Sequence, residues 1–313
     1  MSPNPHAKTM SHTGFRELPA LIFLALIVAT LWTTGPNFGT SVNLLTTARD
    51  MAVIGIMGAG MTMVILTGGI DLSVASVLAL SAAVMAKLMM AGVGIAECVA
   101  AALMAGALCG AANAVLINQL RIPPIIATLG MMGILRAGVT LYTRAKWIGL
   151  LPKSFAVIGT GIVPLILLAL VTTGVSLFLL RMSIGRHIYA VGGNEEAVRL
   201  SGVSVRRTKF LVYTANGLLA SIAGLILASS MSSAQSNMAM GYELSVIAAV
   251  VIGGTSISGG RGSVLGTVIG AAIMAVLFEA LILLGVPIYW HKVIVGGVIL
   301  TAVLFDKIRE LRR

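Results

Sequence analysis

An all-α, polytopic helical bundle in a membrane is the fold class this sequence predicts, and three observations carry it. Charged residues make up only 10% of the 313, with 21 Lys+Arg against 10 Asp+Glu. A soluble domain carries about 25%, so this chain has too little charge to cover a water-facing surface. Apolar residues reach 58% and the mean hydropathy is +1.03. The hydrophobic residues also fall into about ten runs near the 20-residue length that spans a bilayer. These observations set aside disorder, a disulfide scaffold and nucleic-acid recognition. The net charge of +11 is read as a record of orientation, because basic loops stay on the cytoplasmic side.

The runs are 18–34, 48–67, 73–92, 95–118, 122–143, 155–180, 208–231, 242–258, 263–285 and 288–305. The first follows Lys8 and Arg16 and is read as a retained helix, not a signal peptide, because no small-x-small cleavage site follows it. Window 122–143 opens on Pro123-Pro124 and contains Arg136, which makes it a candidate re-entrant segment. The division is a tail at 1–17, a transmembrane domain at 18–305 with a polar loop at 181–209, and a tail at 306–313. That loop holds Arg181, Arg186, Arg199, Arg206, Arg207 and Lys209 against Glu195 and Glu196. With Lys307, Arg309, Arg312 and Arg313 in the last tail, it marks the cytoplasmic face. Ten spans then put both termini inside. Arg144, Lys146 and Lys153 fall outside in this count, so window 122–143 fails to span or that loop has an external role.

Gly68-Gly69-Ile70-Asp71-Leu72-Ser73 resembles Gly253-Gly254-Thr255-Ser256-Ile257-Ser258. Each follows a Val/Ile-rich run and precedes Ser-Val-Leu. Internal repeats recur in transporters, with the substrate path where the halves meet. The alternative is chance similarity in a chain rich in Gly, Ser and Ile.

Enzyme signatures are missing. The chain contains no Gly-Lys dipeptide, hence no phosphate-binding G-x-x-x-x-G-K-[ST] loop. It contains no H-E-x-x-H, and His6, His12, His187 and His291 are scattered. Cys98 and Cys109 lie eleven residues apart in one run, roughly 16 Å on a helix, too far to bridge. Of the acids near spans, Asp50, Asp71, Glu97 and Glu243 sit near run ends, and Asp71 is positioned to cap the helix after it. Glu279 is the deepest. So little mid-membrane charge argues against ion coupling.

In the 181–209 loop, Gly192-Gly193 reads as a break and Asn194 as an N-cap. Glu195 and Glu196 occupy the first turn, where the helix dipole favours acids. Gly202 ends a helix of two turns. A short capped helix among cations has the shape of a docking knob; an ordinary amphipathic loop has the same composition.

At these residues the chain resembles a known family. Tyr189-Ala190-Val191-Gly192-Gly193-Asn194-Glu195-Glu196-Ala197-Val198-Arg199-Leu200-Ser201-Gly202-Val203 is similar to the coupling segment in permease subunits of bacterial ribose-type ABC importers. Val64 through Val74 and Gly241-Tyr242-Glu243-Leu244 with Ile247 through Ser256 match the same family, which includes the autoinducer-2 permeases. The likeness runs from about residue 18 to 305.

The resemblance implies a bacterial inner-membrane importer subunit. Its partners would be an ABC ATPase carrying the ATP and Mg, a periplasmic sugar-binding protein, a second permease chain (identical or paralogous) and the lipid. No cofactor would bind this chain itself. It implies coupling through Gly193, Asn194, Glu195, Glu196, Ala197, Arg199, Leu200, Ser201 and Gly202. The translocation path would run by Gly68, Gly69, Asp71, Ser73, Gly253, Gly254, Thr255 and Ser256. Arg144, Lys146 and Lys153 would dock the external protein, although this stretch is shorter and more basic than the family's. The competing class is an ion-coupled secondary carrier.

Overall fold

The computed structural model describes residues 17–34 and 38–311. Lys8, Arg16, Gly35-Pro36-Asn37, Arg312 and Arg313 lie outside the described residues, and so do the side chains of Lys307 and Arg309. The described chain is helical almost throughout. The long helices are α1 (Leu18–Thr34), α2 (Ser41–Leu66), α3 (Val74–Met90), α4 (Ile95–Asn118), α5 (Pro124–Thr143) and α6 (Val163–Arg181). Two short ones follow, α7 (Ser183–Gly193) and α8 (Glu195–Leu200). Then come α9 (Val205–Met231), α10 (Tyr242–Ile252), α11 (Val264–Leu283) and α12 (Ile288–Leu311). Two two-residue strands, β1 (Ile148–Gly149) and β2 (Ser233–Ala234), pair antiparallel with Ile148 opposite Ala234.

Six of these helices are long and apolar enough to cross a membrane: α2, α4, α5, α6, α9 and α11. Shorter apolar helices cover Leu18–Thr33, Val74–Met90, Tyr242–Ile252 and Tyr289–Leu304. The chain is a multi-pass membrane protein.

A helix that is apolar all round is buried in protein or faces lipid. Both cases occur here. In α2 the residues from Ala52 to Leu66 are all buried, and 83% of its apolar window lies inside the protein, against 17% for α6. So α2 is the axis of the bundle and α6 is rim. The most extensive helix contact among the described residues joins α4 to α9. A Cβ on Gly110 would strike the Tyr213 carbonyl, and one on Gly217 would strike the Gly106 carbonyl. Gly106 and Gly110 form a G-x-x-x-G pair, which lets backbones approach closely in lipid. Beside them Ser221 hydrogen-bonds Ser81 of α3 at 2.8 Å.

Several expected boundaries move. Helix α2 begins at Ser41, not 48, because Thr40 Oγ1 caps it by accepting from the Asn43 N–H. Asp50 therefore sits well inside α2, paired with Arg49 at 3.2 Å, and not at a helix end. Window 155–180 divides into a 3₁₀ turn at Ala156–Gly159 and α6. Window 242–258 stops being helical at Ile252. Window 122–143, the candidate re-entrant segment, forms one unbroken helix: α5 is continuous over 20 residues, about 30 Å. Pro124 occupies its first turn, where proline is tolerated. Arg136 Nη1 donates to the carbonyls of Ser236 and Met238 at 3.0 and 2.8 Å, so the guanidinium is held by protein. Glu279 of α11 is buried and accepts from Asn43 Nδ2 of α2. Both cysteines are free.

Replacing Gly217 by Ala should destabilise the detergent-solubilised protein by ~1–3 kcal/mol through overpacking, read as a lower thermal midpoint. Gly174→Ala on α6, where a Cβ meets nothing within 4 Å, should leave the midpoint unchanged or raise it. Equal midpoints for the two variants would refute the close α4–α9 packing.

Candidate functional site

The two repeated strings are both helix ends, and they are built alike. After α2, Gly68 takes φ +78° and its N–H bonds the Ile65 carbonyl, while the Gly69 N–H reaches the Val64 carbonyl. After α10, Gly254 takes φ +89° and bonds Val251, while the Thr255 N–H reaches Val250. Both are Schellman caps, which need a residue tolerant of positive φ and satisfy the last carbonyls. The first break is short and leads directly into α3. The second runs on through Gly262 to Ser263, which caps α11 by accepting from the Gly266 N–H.

The breaks touch each other and touch α7. The Gly260 N–H donates to the Leu66 carbonyl at 3.0 Å, tying the second break to the end of α2. Gly192 packs onto that same bond: a Cβ there would strike the Leu66 carbonyl and the Gly260 nitrogen. Gly192 and Gly193 are helical, the last two residues of α7, and not the break expected. Tyr189 Oη, one turn earlier, donates to the Gly262 carbonyl at 3.0 Å. Ile188 and Val191 bury the inner face of α7. Five glycines (68, 192, 193, 259 and 260) thus meet where α2, α7 and the second break converge.

Helix α8 projects from this junction with no buried residue. Asn194 Oδ1 accepts from the Ala197 N–H at 2.9 Å, the expected N-cap. Glu196 pairs with Arg199, whose guanidinium holds that carboxyl below its usual range. Glu195 bonds Lys209 of α9 at 2.7 Å. Gly202, at φ +81°, closes the helix, with the Val203 N–H on the Val198 carbonyl. Leu200 is 81% exposed. The result is a rigid, ion-paired knob with an apolar tip.

At the first break the carboxylate of Asp71 does not cap α3. Ser73 occupies the N-cap position. Asp71 is 1% exposed, and its Oδ1 accepts from the Ser73 N–H at 2.9 Å and the Ser73 hydroxyl at 2.6 Å. Its Oδ2 accepts from Asn216 Nδ2 of α9 at 2.8 Å. Asn113 Nδ2 of α4 donates to Ser73 Oγ at 2.8 Å. Thr128 Oγ1 of α5 accepts from the Leu72 N–H at 3.1 Å. One break is therefore held by three other helices. Gly69, Asp71, Ser73, Gly253, Thr255 and Ser256 are buried, whereas Gly68 and Gly254 are exposed.

Arg144, Lys146 and Lys153 are exposed at the other end of α5, around β1. Arg144 caps α5 in the left-handed region at φ +54°. Trp147 and Leu150 beside them are 64% and 89% exposed. The strand pair ties this loop to the end of α9 through Ser233 and Ala234.

Residues 43–303 match the family described as branched-chain amino acid transport system / permease component. The chain belongs to this permease family. Its relatives include the ribose import permease protein of Escherichia coli (strain K12), 43% identical over 303 residues, 94% of each chain. The L-arabinose ABC transporter permease protein of Azospirillum brasilense is 37% identical, over 94% of this chain and 88% of the relative. The autoinducer 2 import system permease protein of Enterobacter sp. (strain 638) is 34% identical, over 93% and 86%. No solved structure matches.

The sequence reading of this permease missed Asn113, Asn216 and Tyr213. The signal was present: each is a polar side chain in the middle of an apolar run, which needs a partner or a function. Asp71, the common partner of the two asparagines, was invisible because it lies 42 and 145 positions from them. Tyr213 Oη and Asn216 Oδ1 have no hydrogen-bond partner among the described residues. The G-x-x-x-G pair on α4 was also legible and unused.

Asp71→Ala should cost about 1–3 kcal/mol for each donor it orphans, lowering the thermal midpoint in detergent. Asp71→Asn should recover most of the loss, because Asn216 can turn its free Oδ1 toward the new amide. If both variants lose equally, the negative charge and not the hydrogen-bond set holds the break.

Proposed function

We propose that this permease is the transmembrane subunit of an ATP-driven bacterial importer of a monosaccharide, a ribose-like pentose first. It works with a separate ABC ATPase that carries ATP and Mg, an external binding protein and a second permease chain. The names of the relatives support the substrate class, and ribose permeases are the more similar to this chain. Autoinducer-2 import is the second reading, favoured by the 34% identity to that permease.

The observation that carries the mechanism is the glycine junction. The exposed α8 follows directly on the C-terminal end of α7, and Gly192 at that same end rests on the bond between Leu66 and Gly260. A push on α8 by an ATPase reaches both helix breaks through that one contact. Packed interfaces of this kind switch between discrete arrangements. The residues from Gly193 to Gly202 couple, and the exposed Gly68 and Gly254 mark the path.

Ten crossings with both termini in the cytoplasm fit the contacts. Asn118 Nδ2, ending α4, donates to the Arg206 carbonyl at 3.0 Å, and Thr128 near the start of α5 reaches the first break. These join α8 on one side. Lys87, ending α3, donates to the Tyr142 carbonyl, ending α5, at 2.8 Å, and β1 pairs with β2. These belong to the other side, with Arg144, Lys146 and Lys153.

Gly192→Ala should lower ATP-dependent uptake in proteoliposomes about tenfold, as overpacking of more than ~1 kcal/mol at a switch contact would. Gly174→Ala on α6, where a Cβ meets nothing within 4 Å, should transport normally. Equal transport by both would remove the junction from the coupling route. Uptake driven by an ion gradient without ATPase would instead make the permease a secondary carrier. Calorimetry of the partner binding protein against ribose, arabinose and autoinducer-2 names the substrate.

Charge reversal at Arg144, Lys146 and Lys153 should weaken docking of the external binding protein, more at low salt than at high, because exposed pairs are screened. Salt-independent, unchanged affinity would assign that surface another role.

A further inference from the structure

A groove of about 490 Å³ lies outside the coupling route, between the end of α4 and the start of α9. Its lining changes character along its length. Gln119, Arg206 and Arg207 form one level, and Val115, Phe210 and Leu211 the next. Four residues of helix separate the levels, about 6 Å. Phe210 and Leu211 are 40% and 48% exposed, at the point where α9 turns from polar to apolar sequence. The groove therefore straddles the polar–apolar boundary of the protein.

Its charge is unbalanced. Among the described residues neither Arg206 nor Arg207 has a carboxylate within 4.0 Å. Lys209, the next cation along, is already taken by Glu195. The first turn of α9 contains no acid. Arg121, two residues beyond Gln119, adds a further exposed cation. Asn118 fixes the two helix ends together by donating to the Arg206 carbonyl at 3.0 Å, so the groove is built on rigid elements and not on a loop.

We infer that this groove binds the headgroup of an anionic phospholipid of the cytoplasmic leaflet. The phosphate sits between the Arg206 and Arg207 guanidinia, whose planar fork suits phosphate oxygens. The glycerol and first acyl carbons run along Val115, Phe210 and Leu211. Basic pockets between helices at the cytoplasmic boundary recognise such headgroups. A soluble anion would use the cations but leave the apolar level without a role. The site rests on the cytoplasmic placement of the 181–209 loop and not on the sugar or the ATPase. The lipid bridges α4 and α9, the helices that also hold Asp71.

The test is native mass spectrometry of the full-length permease, purified with equimolar phosphatidylglycerol and phosphatidylcholine. Phosphatidylglycerol should be retained preferentially and should raise the thermal midpoint. Arg206→Gln with Arg207→Gln should cut its retention about 25-fold, roughly fivefold per cation, and Arg206→Lys with Arg207→Lys should keep most of it. Lys292→Gln, at an exposed cation of α12 remote from the groove, should leave phosphatidylglycerol retention unchanged. The proposal is overturned by equal retention of the two lipids in the unmodified protein, a measurement that needs no variant. It also fails if inorganic phosphate stabilises as well as the lipid, which would mean a free-anion site. Loss of ATPase binding in lipid-free detergent, with lipid retention unchanged in the Gln pair, would assign the groove to a protein contact.

Discussion

A helix that ends against packed protein leaves carbonyls with no partner in the helix, and each must be satisfied by other groups. That constraint shapes this permease. Helices α2 and α10 both stop, and both use the same device, a glycine at positive φ whose neighbours fold back on the last turn. One further carbonyl, that of Leu66, is satisfied by the N–H of Gly260 in the other break. The two interruptions thus complete each other. Because Gly192 sits on that bond without a side chain, the exposed knob formed by α8 is in mechanical contact with both.

The same economy of polar groups explains Asp71. A carboxylate in an apolar core is costly unless fully bonded. Here it gathers Ser73 from its own segment and Asn216 from α9, while Asn113 of α4 binds Ser73. The cluster fixes the direction in which the chain leaves α2 and enters α3. It also ties the broken segment to α4 and α9, whose backbones meet through Gly106, Gly110 and Gly217. Stability and the positioning of the break share one set of contacts.

Charge is scarce in the chain, and its placement is therefore informative. At one end of the bundle, ion pairs link α8 to itself and to α9, and arginines without a carboxylate partner among the described residues line the α4–α9 groove. At the other end, three cations surround the exposed Trp147 and Leu150. Between the ends, Arg136 and Glu279 are held by carbonyls and an amide, so neither is free in the bilayer interior.

Sequence alone determined the membrane class, most helix centres, the capped helix at 195–200 and the likeness of the two glycine strings. These follow from local rules: hydropathy over 20 residues, cap chemistry within four residues, and the tolerance of glycine for positive φ. It misjudged what depends on neighbours. Window 122–143 was a candidate re-entrant segment because it opens on Pro123-Pro124 and contains Arg136, and the carbonyls that hold Arg136 lie a hundred residues away. Asp71 looked like a helix cap because its donors on α4 and α9 are remote in sequence. Tertiary structure alone decided that the two breaks touch, that Gly192 seals them and that α2 is the axis while α6 is rim. The reason is physical: where the long helices are all apolar, hydropathy places each of them in the membrane, and only side-chain packing and the pairing of stranded polar groups decide which helices meet.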